Sequence, residues 1–318
     1  MKTTACILCA AGDAETLFVG RDRLHNGPGR FPVRRCRSCG SLYLSPRPEA
    51  HELKQYYPPD YAPYALPRSA SKWQRWNLNY AVSKQIRAVL ARVPGPGRAL
   101  DVGCSTGDFI AALQQHDWRV QGVELNRQAA AYAQQRVKGP VFRGDFFQAG
   151  YAADTFDLVT FWDVLEHLPD PQAALLEAAR ITRPSGVLVL SLPNLHSLEA
   201  RLFGRDWAGW DIPRHLWWLP RPALLRLLEE TGWDVQEFTC LRGRHWLLAL
   251  SLQLWLEAQS LPAALQKGAM ALFRSLPMRV LWWPYFAMTD RLGLGSIVAI
   301  FARRKEHLID RDPAHTQG

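Results

Sequence analysis

The 318-residue sequence lacks an apolar run of signal-peptide length, because polar residues interrupt its opening MKTTACILCAAGDAE, so export is not expected. It also lacks an uninterrupted stretch of about 20 apolar residues, so no segment is expected to span a bilayer. No G-x-G-x-x-G run is present, which removes the pyrophosphate cradle of a dinucleotide fold. Internal repeats and low-complexity tracts are absent too, leaving an ordinary globular composition of 48% hydrophobic and 21% charged residues. Acidic residues fall short of basic ones, 29 against 38, and the formal charge of +9 favours anionic partners such as nucleic acid, anionic lipid or phosphorylated substrates. The chain is expected in the cytoplasm. In that reducing compartment its six cysteines read as metal ligands, buried thiols or catalytic groups rather than a disulfide framework.

The length allows a main domain with smaller appendages. Residues 1–66 hold four cysteines and end in the Pro/Tyr-rich stretch SPRPEAHELKQYYPPDYAPYALP, which reads as a linker. In residues 67–241 a leading helix spaces Trp73, Trp76, Leu78, Val82, Ile86 and Val89 at helical intervals. Strand-like runs then alternate with helical ones: RALDVG, DFIAALQQH, RVQGVEL, RQAAAYAQQRV, VFRGD, FDLVTFWD, PQAALLEAARIT, GVLVLSLP, PRPALLRLLEETG and WDVQEFTCL. Such alternation implies a parallel sheet covered by helices on both faces. A helical, Trp- and Leu-rich insertion at 242–294 precedes a last strand, SIVAIFARR, within 295–318.

In Asp101-Val102-Gly103-Cys104-Ser105-Thr106-Gly107 an apolar strand enters a glycine-bearing turn and then a helix, whose free N–H groups face a ligand at the carboxyl edge of the sheet. Glu124 lies 23 residues beyond Asp101 at the end of the next strand, where a carboxylate can accept from both ribose hydroxyls. An acid at Asp101 repels pyrophosphate and suits a ligand carrying an ammonium or sulfonium. In order, DVGCSTGDF, GVEL, RGDFF and FWDVLEHLPDP resemble the first four motifs of class I S-adenosylmethionine-dependent methyltransferases of the bacterial small-molecule type. SLPN at 191–194 and PRHLWWLPRPAL at 213–224 extend the likeness. The resemblance implies an α/β, Rossmann-like, seven-stranded and mostly parallel sheet with one antiparallel strand. It also implies S-adenosyl-L-methionine as cofactor: Asp101, Gly103 and Gly107 line its methionine part, Glu124 the ribose, Asp145 with Phe146 the adenine and Asp163 the pocket, with Cys104 and Leu125 counted among the cofactor-binding residues. Cys104 reads as a small residue that fits the turn, since no base stands beside it in sequence.

Methyl transfer from a sulfonium needs alignment and exclusion of water, and a base where the acceptor must lose a proton. His215, His167 and Glu166 are the candidates, all near the carboxyl edge. The alternative for His167 is a packing or capping position at the start of the next helix, and for His215 it is support of the core. Arg214 and Arg205 are candidates for holding an anionic acceptor.

Cys6-Ile-Leu-Cys9 and Cys36-Arg-Ser-Cys39-Gly40 form a CxxC pair of pairs separated by 26 residues, the pattern of a structural Zn2+ ribbon. A small module in front of such a core resembles the arrangement in sugar-nucleotide C-methyltransferases, from which this chain departs in lacking their large additional C-terminal domain. Arg21, Arg23, Arg30, Arg34, Arg35 and Arg37 cluster here, which keeps nucleic acid open as a partner. Between Arg242 and Lys305, nine Lys/Arg stand against two acids, among Trp246, Trp255, Trp282 and Trp283. Residues 245–292 are thus read as a peripheral contact with the inner membrane face, or as a lid or homodimer surface. The expected activity is methylation of a small-molecule acceptor: a sugar, a polysaccharide precursor or a lipid-linked compound. The rival is a ribbon binding protein, for nucleic acid or protein, whose other domain senses S-adenosylmethionine without turnover.

Overall fold

The computed structural model describes residues 1–58, 72–241, 245–259 and 261–306. Seven strands form the central sheet: β4 (Arg98–Val102), β5 (Arg119–Glu124), β6 (Val141–Arg143), β7 (Phe156–Trp162), β8 (Thr182–Pro193), β10 (Trp233–Thr239) and β11 (Ile297–Arg304). Their spatial order is β10-β11-β8-β7-β4-β5-β6, parallel throughout except for β11, which runs antiparallel to both β8 and β10. This is the expected seven-stranded sheet with one reversed strand. Strand order turns back between β4 and β7, the switch point at which open α/β sheets leave a crevice for ligands.

Central strands buried on both faces read as continuous apolar runs, which is why GVLVLSLP and FDLVTFW were legible as strands. One face packs against α2 (Lys72–Leu90) and α3 (Asp108–Gln114) through Val82, Ile86, Val89, Ile110 and Leu113. The other packs against α5 (Pro171–Ile181) and α7 (Arg221–Glu230) through Leu175, Ala178, Leu224 and Leu228. Pro171 sits in the first turn of α5, and Asp170 caps it by accepting from Ala173 N–H at 2.9 Å. Leu78, expected on the inner face of α2, is exposed instead. The side chains of Trp73 and Trp76 lie outside the described residues.

The N-terminal residues form a second sheet, β1 (Ala14–Gly20), β2 (Phe31–Cys36) and β3 (Leu42–Leu44), all antiparallel. Its fourth strand is β9 (Trp217–Trp218), which belongs to the loop after β8 and pairs Leu42 with Trp218 and Tyr43 with Trp217. The ribbon and the core therefore share a sheet. The stretch read as a linker packs as well over its first part: α1 (Ala50–Leu53) and the turn Lys54–Tyr56 bury Leu53 and Tyr56, and the Tyr56 hydroxyl donates to Pro28 O at 2.9 Å. The proposed boundary at 66–67 lies outside the described residues.

Helices α8 (His245–Ala258), α9 (Ala263–Arg274), α10 (Leu276–Leu281) and α11 (Trp283–Arg291) form the insertion before β11. No helix among the described residues is long and apolar enough to cross a membrane.

Candidate functional site

The turn after β4 is held in an unusual backbone shape: Gly103 at φ 72°, Ser105 at φ 48° and Gly107 at φ 74°. Glycine is needed at Gly103 on packing grounds too, because a Cβ there would stand 2.5 Å from Val164 Cγ2. The N–H groups of Gly103 and Cys104 both donate to Val123 O, at 2.8 and 3.0 Å, which fastens the turn to β5. Cys104 is buried, its Sγ lies where a Cβ on Gly122 would clash at 2.6 Å, and burial pushes its thiol far up. That is the environment of a packed thiol, not a nucleophile.

Two carboxylates sit at this switch point. Asp101 is 3% exposed and accepts from Thr160 Oγ1 on β7 at 2.6 Å. Burial, reinforced by the nearby Glu124, pushes its carboxyl up to about 7. Glu124, 4% exposed, accepts from Ser105 N–H at 2.9 Å and from Asn126 N–H at 2.7 Å, and burial raises it as well. Burying two acids at one crevice is costly unless a ligand with positive charge and hydroxyls meets them, and S-adenosylmethionine carries both. Around them, Leu125 is exposed at the end of β5, and Asp145 caps the turn Phe146–Gln148 by accepting from Phe147 N–H at 2.9 Å. Phe146 faces the core, edge-on to Phe161 at 5.7 Å, whereas Phe147 is the ring open to solvent. Asp163, at φ 59°, accepts from Ser191 Oγ at 2.6 Å beyond the end of β7.

Glu166 and His167 lie in a single 3-10 turn, Leu165–His167, and not in the following helix, which starts only at Pro171. His215, 48 residues further on, is brought against them: the His167 and His215 rings lie 4.7 Å apart, edge to face. His215 Nδ1 is 3.0 Å from Gly209 O, and His167 Nδ1 is 3.0 Å from Arg214 O. A carbonyl only accepts, so Nδ1 of His215 carries the proton and its Nε2 is free to take one, whereas His167 Nδ1 also meets the Tyr57 hydroxyl at 3.1 Å. Nε2 of His215 lies 3.8 Å from Glu166 and 3.9 Å from Asp211. Burial lowers both histidines, His167 to about 3, and so favours the neutral imidazole in each. Ligand atoms of Glu166, His167 and His215 lie within 4.8 Å of one another.

Arg214 does not face an acceptor. It is fully buried and donates to Asp22, Asp211 and the Tyr56 carbonyl. Asp211 is held below the ordinary carboxylate range because, although burial opposes this, the Arg214 cation outweighs it. Neither Asp22 nor Asp211 carried a sequence signal. Arg205 is exposed.

The four ribbon cysteines converge: Cys6 Sγ lies 3.4 Å from Cys39 Sγ, Cys9 Sγ lies 3.5 Å from Cys36 Sγ, and all four lie within 4.8 Å. Four thiolates about 2.3 Å from one ion at tetrahedral angles stand slightly under 4 Å apart, so the set fits Zn2+. Two equivalent turns build it, closed by Ala10 N–H to Cys6 O and Gly40 N–H to Cys36 O, both 2.9 Å, with Ala10 and Gly40 at positive φ.

Comparison with known proteins adds the lineage. The chain is 27% identical over 169 residues to the ubiquinone biosynthesis O-methyltransferase of Thiobacillus denitrificans, covering 49% of this chain and 72% of that one. It is 29% identical over 122 residues to the demethylmenaquinone methyltransferase of Bacillus licheniformis, covering 36% of this chain and 51% of that one. A solved S-adenosylmethionine-dependent methyltransferase from Mesorhizobium loti overlays with a TM-score of 0.47 at 18% identity, covering 70% of this chain and 98% of that one. A family model described as a methyltransferase domain matches residues 73–237, just over half of the sequence, and the chain therefore belongs to that family and is an S-adenosylmethionine-dependent methyltransferase.

Proposed function

We propose that this enzyme methylates a hydroxyl of an amphipathic, lipid-like small molecule, with His215 as the base. The observation that carries this reading is the placement of His215, whose Nδ1 lies 3.0 Å from Gly209 O while its Nε2 lies 3.8 Å from the buried Glu166 and 3.9 Å from Asp211. When bound, S-adenosylmethionine supplies an electrophilic methyl on sulfur. The proton leaving the acceptor hydroxyl passes to His215 Nε2, and the imidazolium so formed is stabilised by the two carboxylates. Asp101 and Glu124 would hold the cofactor's charged and hydroxyl groups. Cys6, Cys9, Cys36 and Cys39 hold a structural Zn2+.

Lipid-like character is supported by α9 to α11. Leu265 and Leu272 on α9, Leu276, Val280 and Leu281 on α10, and Trp283 on α11 are all more than 60% exposed. Lys267, Arg274, Arg279 and Arg291 stand among them, with Asp290 the one acid of these helices. Exposed apolar side chains at i and i+7 on α9 and at i and i+4 on α10, beside cations, suit the interface of an anionic membrane, where a lipid-like acceptor resides. The printed names of the two relatives, one an O-methyltransferase of ubiquinone biosynthesis and the other acting on demethylmenaquinone, agree with methylation of this kind of molecule.

The test pairs vesicle flotation with turnover. The protein is expected to float with phosphatidylglycerol vesicles at low salt and to release at high salt, and a vesicle-borne hydroxyl acceptor should yield S-adenosylhomocysteine. His215→Ala should lower kcat by about 10²–10⁴-fold with cofactor affinity unchanged. A stable dimer that ignores vesicles, or a His215→Ala enzyme with normal kcat, overturns the reading.

A further inference from the structure

At the junction of the ribbon and the core, a groove of about 420 Å3 runs between the β1–β2 hairpin, the turn Gly204–Asp206 and the end of α8. Four arginines line it: Arg21, Arg23, Arg30 and Arg205. Its two carboxylates are already engaged. Asp206 accepts from Arg23, and Glu257 lies 4.0 Å from the same guanidinium while accepting from Gln253 at 3.0 Å. Among the described residues, the guanidiniums of Arg21, Arg30 and Arg205 have no hydrogen-bond or ion-pair partner. The rest of the ribbon's arginine cluster has partners elsewhere: Arg34 donates to Ala14 O, Arg35 lies 3.5 Å from Glu15, and Arg37 lies 3.4 Å from Asp13. Arg21 and Arg30, the members of that arginine cluster left without a partner, both line this concavity, together with Arg205 from the loop that bears His215.

The groove continues inward as a second pocket that shares Arg21, Arg23 and Arg205 with it and adds Trp207, Trp210 and Asp211. There Phe18 meets Trp210 edge-on at 5.1 Å. Asp211 at this inner end is the residue whose carboxylate lies 3.9 Å from His215 Nε2. The inner pocket is small, about 40 Å3, so the groove itself, with its arginines, is the part sized for a ligand, and what it suits is an anionic head.

We propose that this groove binds a diphosphate group. Three guanidiniums, each able to donate two parallel N–H bonds to a pair of phosphoryl oxygens, offer six donors, which matches a diphosphate better than the three terminal oxygens of a phosphate monoester. That the diphosphate is part of the methyl acceptor rests on the function proposed above; the anion site itself rests on the arginines.

Calorimetry on the full-length, zinc-loaded protein with inorganic pyrophosphate as probe tests the site. Saturable one-to-one binding is expected, with orthophosphate at least tenfold weaker. Each of Arg21→Gln, Arg30→Gln and Arg205→Gln should weaken pyrophosphate by about tenfold, the equivalent of one lost charge-assisted contact. The triple variant should show no saturable binding while retaining wild-type affinity for S-adenosylmethionine, which proves it folded. Absence of saturable pyrophosphate binding by the wild type, or its survival in the triple variant, overturns the proposal. So does loss of phosphatidylglycerol vesicle binding in the triple variant without loss of pyrophosphate binding, which would assign the arginines to a lipid headgroup. Because cofactor affinity is read separately, failure here leaves the methyltransferase site untouched, and failure of cofactor binding leaves this site untouched.

Discussion

Asp22, in the ribbon, grips Arg214, in the loop after β8, with two parallel bonds of 2.9 and 3.0 Å between fully buried side chains. Arg214 precedes His215, and its carbonyl accepts from His167, so one pair ties the ribbon to both candidate bases. Removing one member of a buried pair leaves an uncompensated charge. Asp22→Ala is expected to destabilise the protein by about 3–5 kcal/mol, read by denaturant unfolding. It should also lower kcat more than it changes cofactor affinity. A loss below about 1 kcal/mol, the size of a surface pair, would show that Asp211 alone suffices for Arg214.

Glu124 accepts two backbone N–H groups that shape the cofactor turn and has lone pairs left for ribose hydroxyls. Glu124→Ala removes charge-assisted bonds worth about 1.5–3 kcal/mol each, so affinity for S-adenosylmethionine should drop at least about tenfold by calorimetry. Unchanged affinity would move the ribose site elsewhere.

Asp101 carries a proton in the free enzyme up to about pH 7, because burial penalises its charged form. A sulfonium and an ammonium favour the ionised form, so binding the cofactor below that pH releases a proton. Affinity should therefore rise with pH, by up to about tenfold per unit, and level off above pH 7. Asp101→Asn should flatten the profile. Calorimetry in buffers of different ionisation enthalpy counts the proton, and finding none released at pH 6 would place Asp101 outside the site.

One zinc per chain is expected, absent from a Cys36→Ser/Cys39→Ser double mutant, with Cys104 and Cys240 uninvolved because both are buried away from the cluster. Strand β3 pairs with β9, two residues past His215, so stripping the metal with a chelator should lower both Tm and kcat. Stoichiometric zinc in the double mutant, measured by elemental analysis, would exclude the four-cysteine site.

The sequence by itself determined the strands and helices of the core, the glycine turn, the positions of Asp101 and Glu124 and the two CxxC turns. Each is written in a short stretch of chain, as an apolar period, a positive-φ glycine or a fixed spacing, and so needs no knowledge of distant residues. Leu78 and Phe146 show the limit even there, since which apolar side chain faces inward depended on neighbours brought by other elements. Only the tertiary structure decided that β9 completes the ribbon sheet, that Arg214 is a buried strut and that Arg21, Arg30 and Arg205 are left unpaired in one groove. Asp22 and Arg214 are 192 residues apart, and no local pattern announces a partner at that distance. Pairing at such range is selected by burial: once the fold withdraws a guanidinium from water, it must find the carboxylates that the same fold brings beside it.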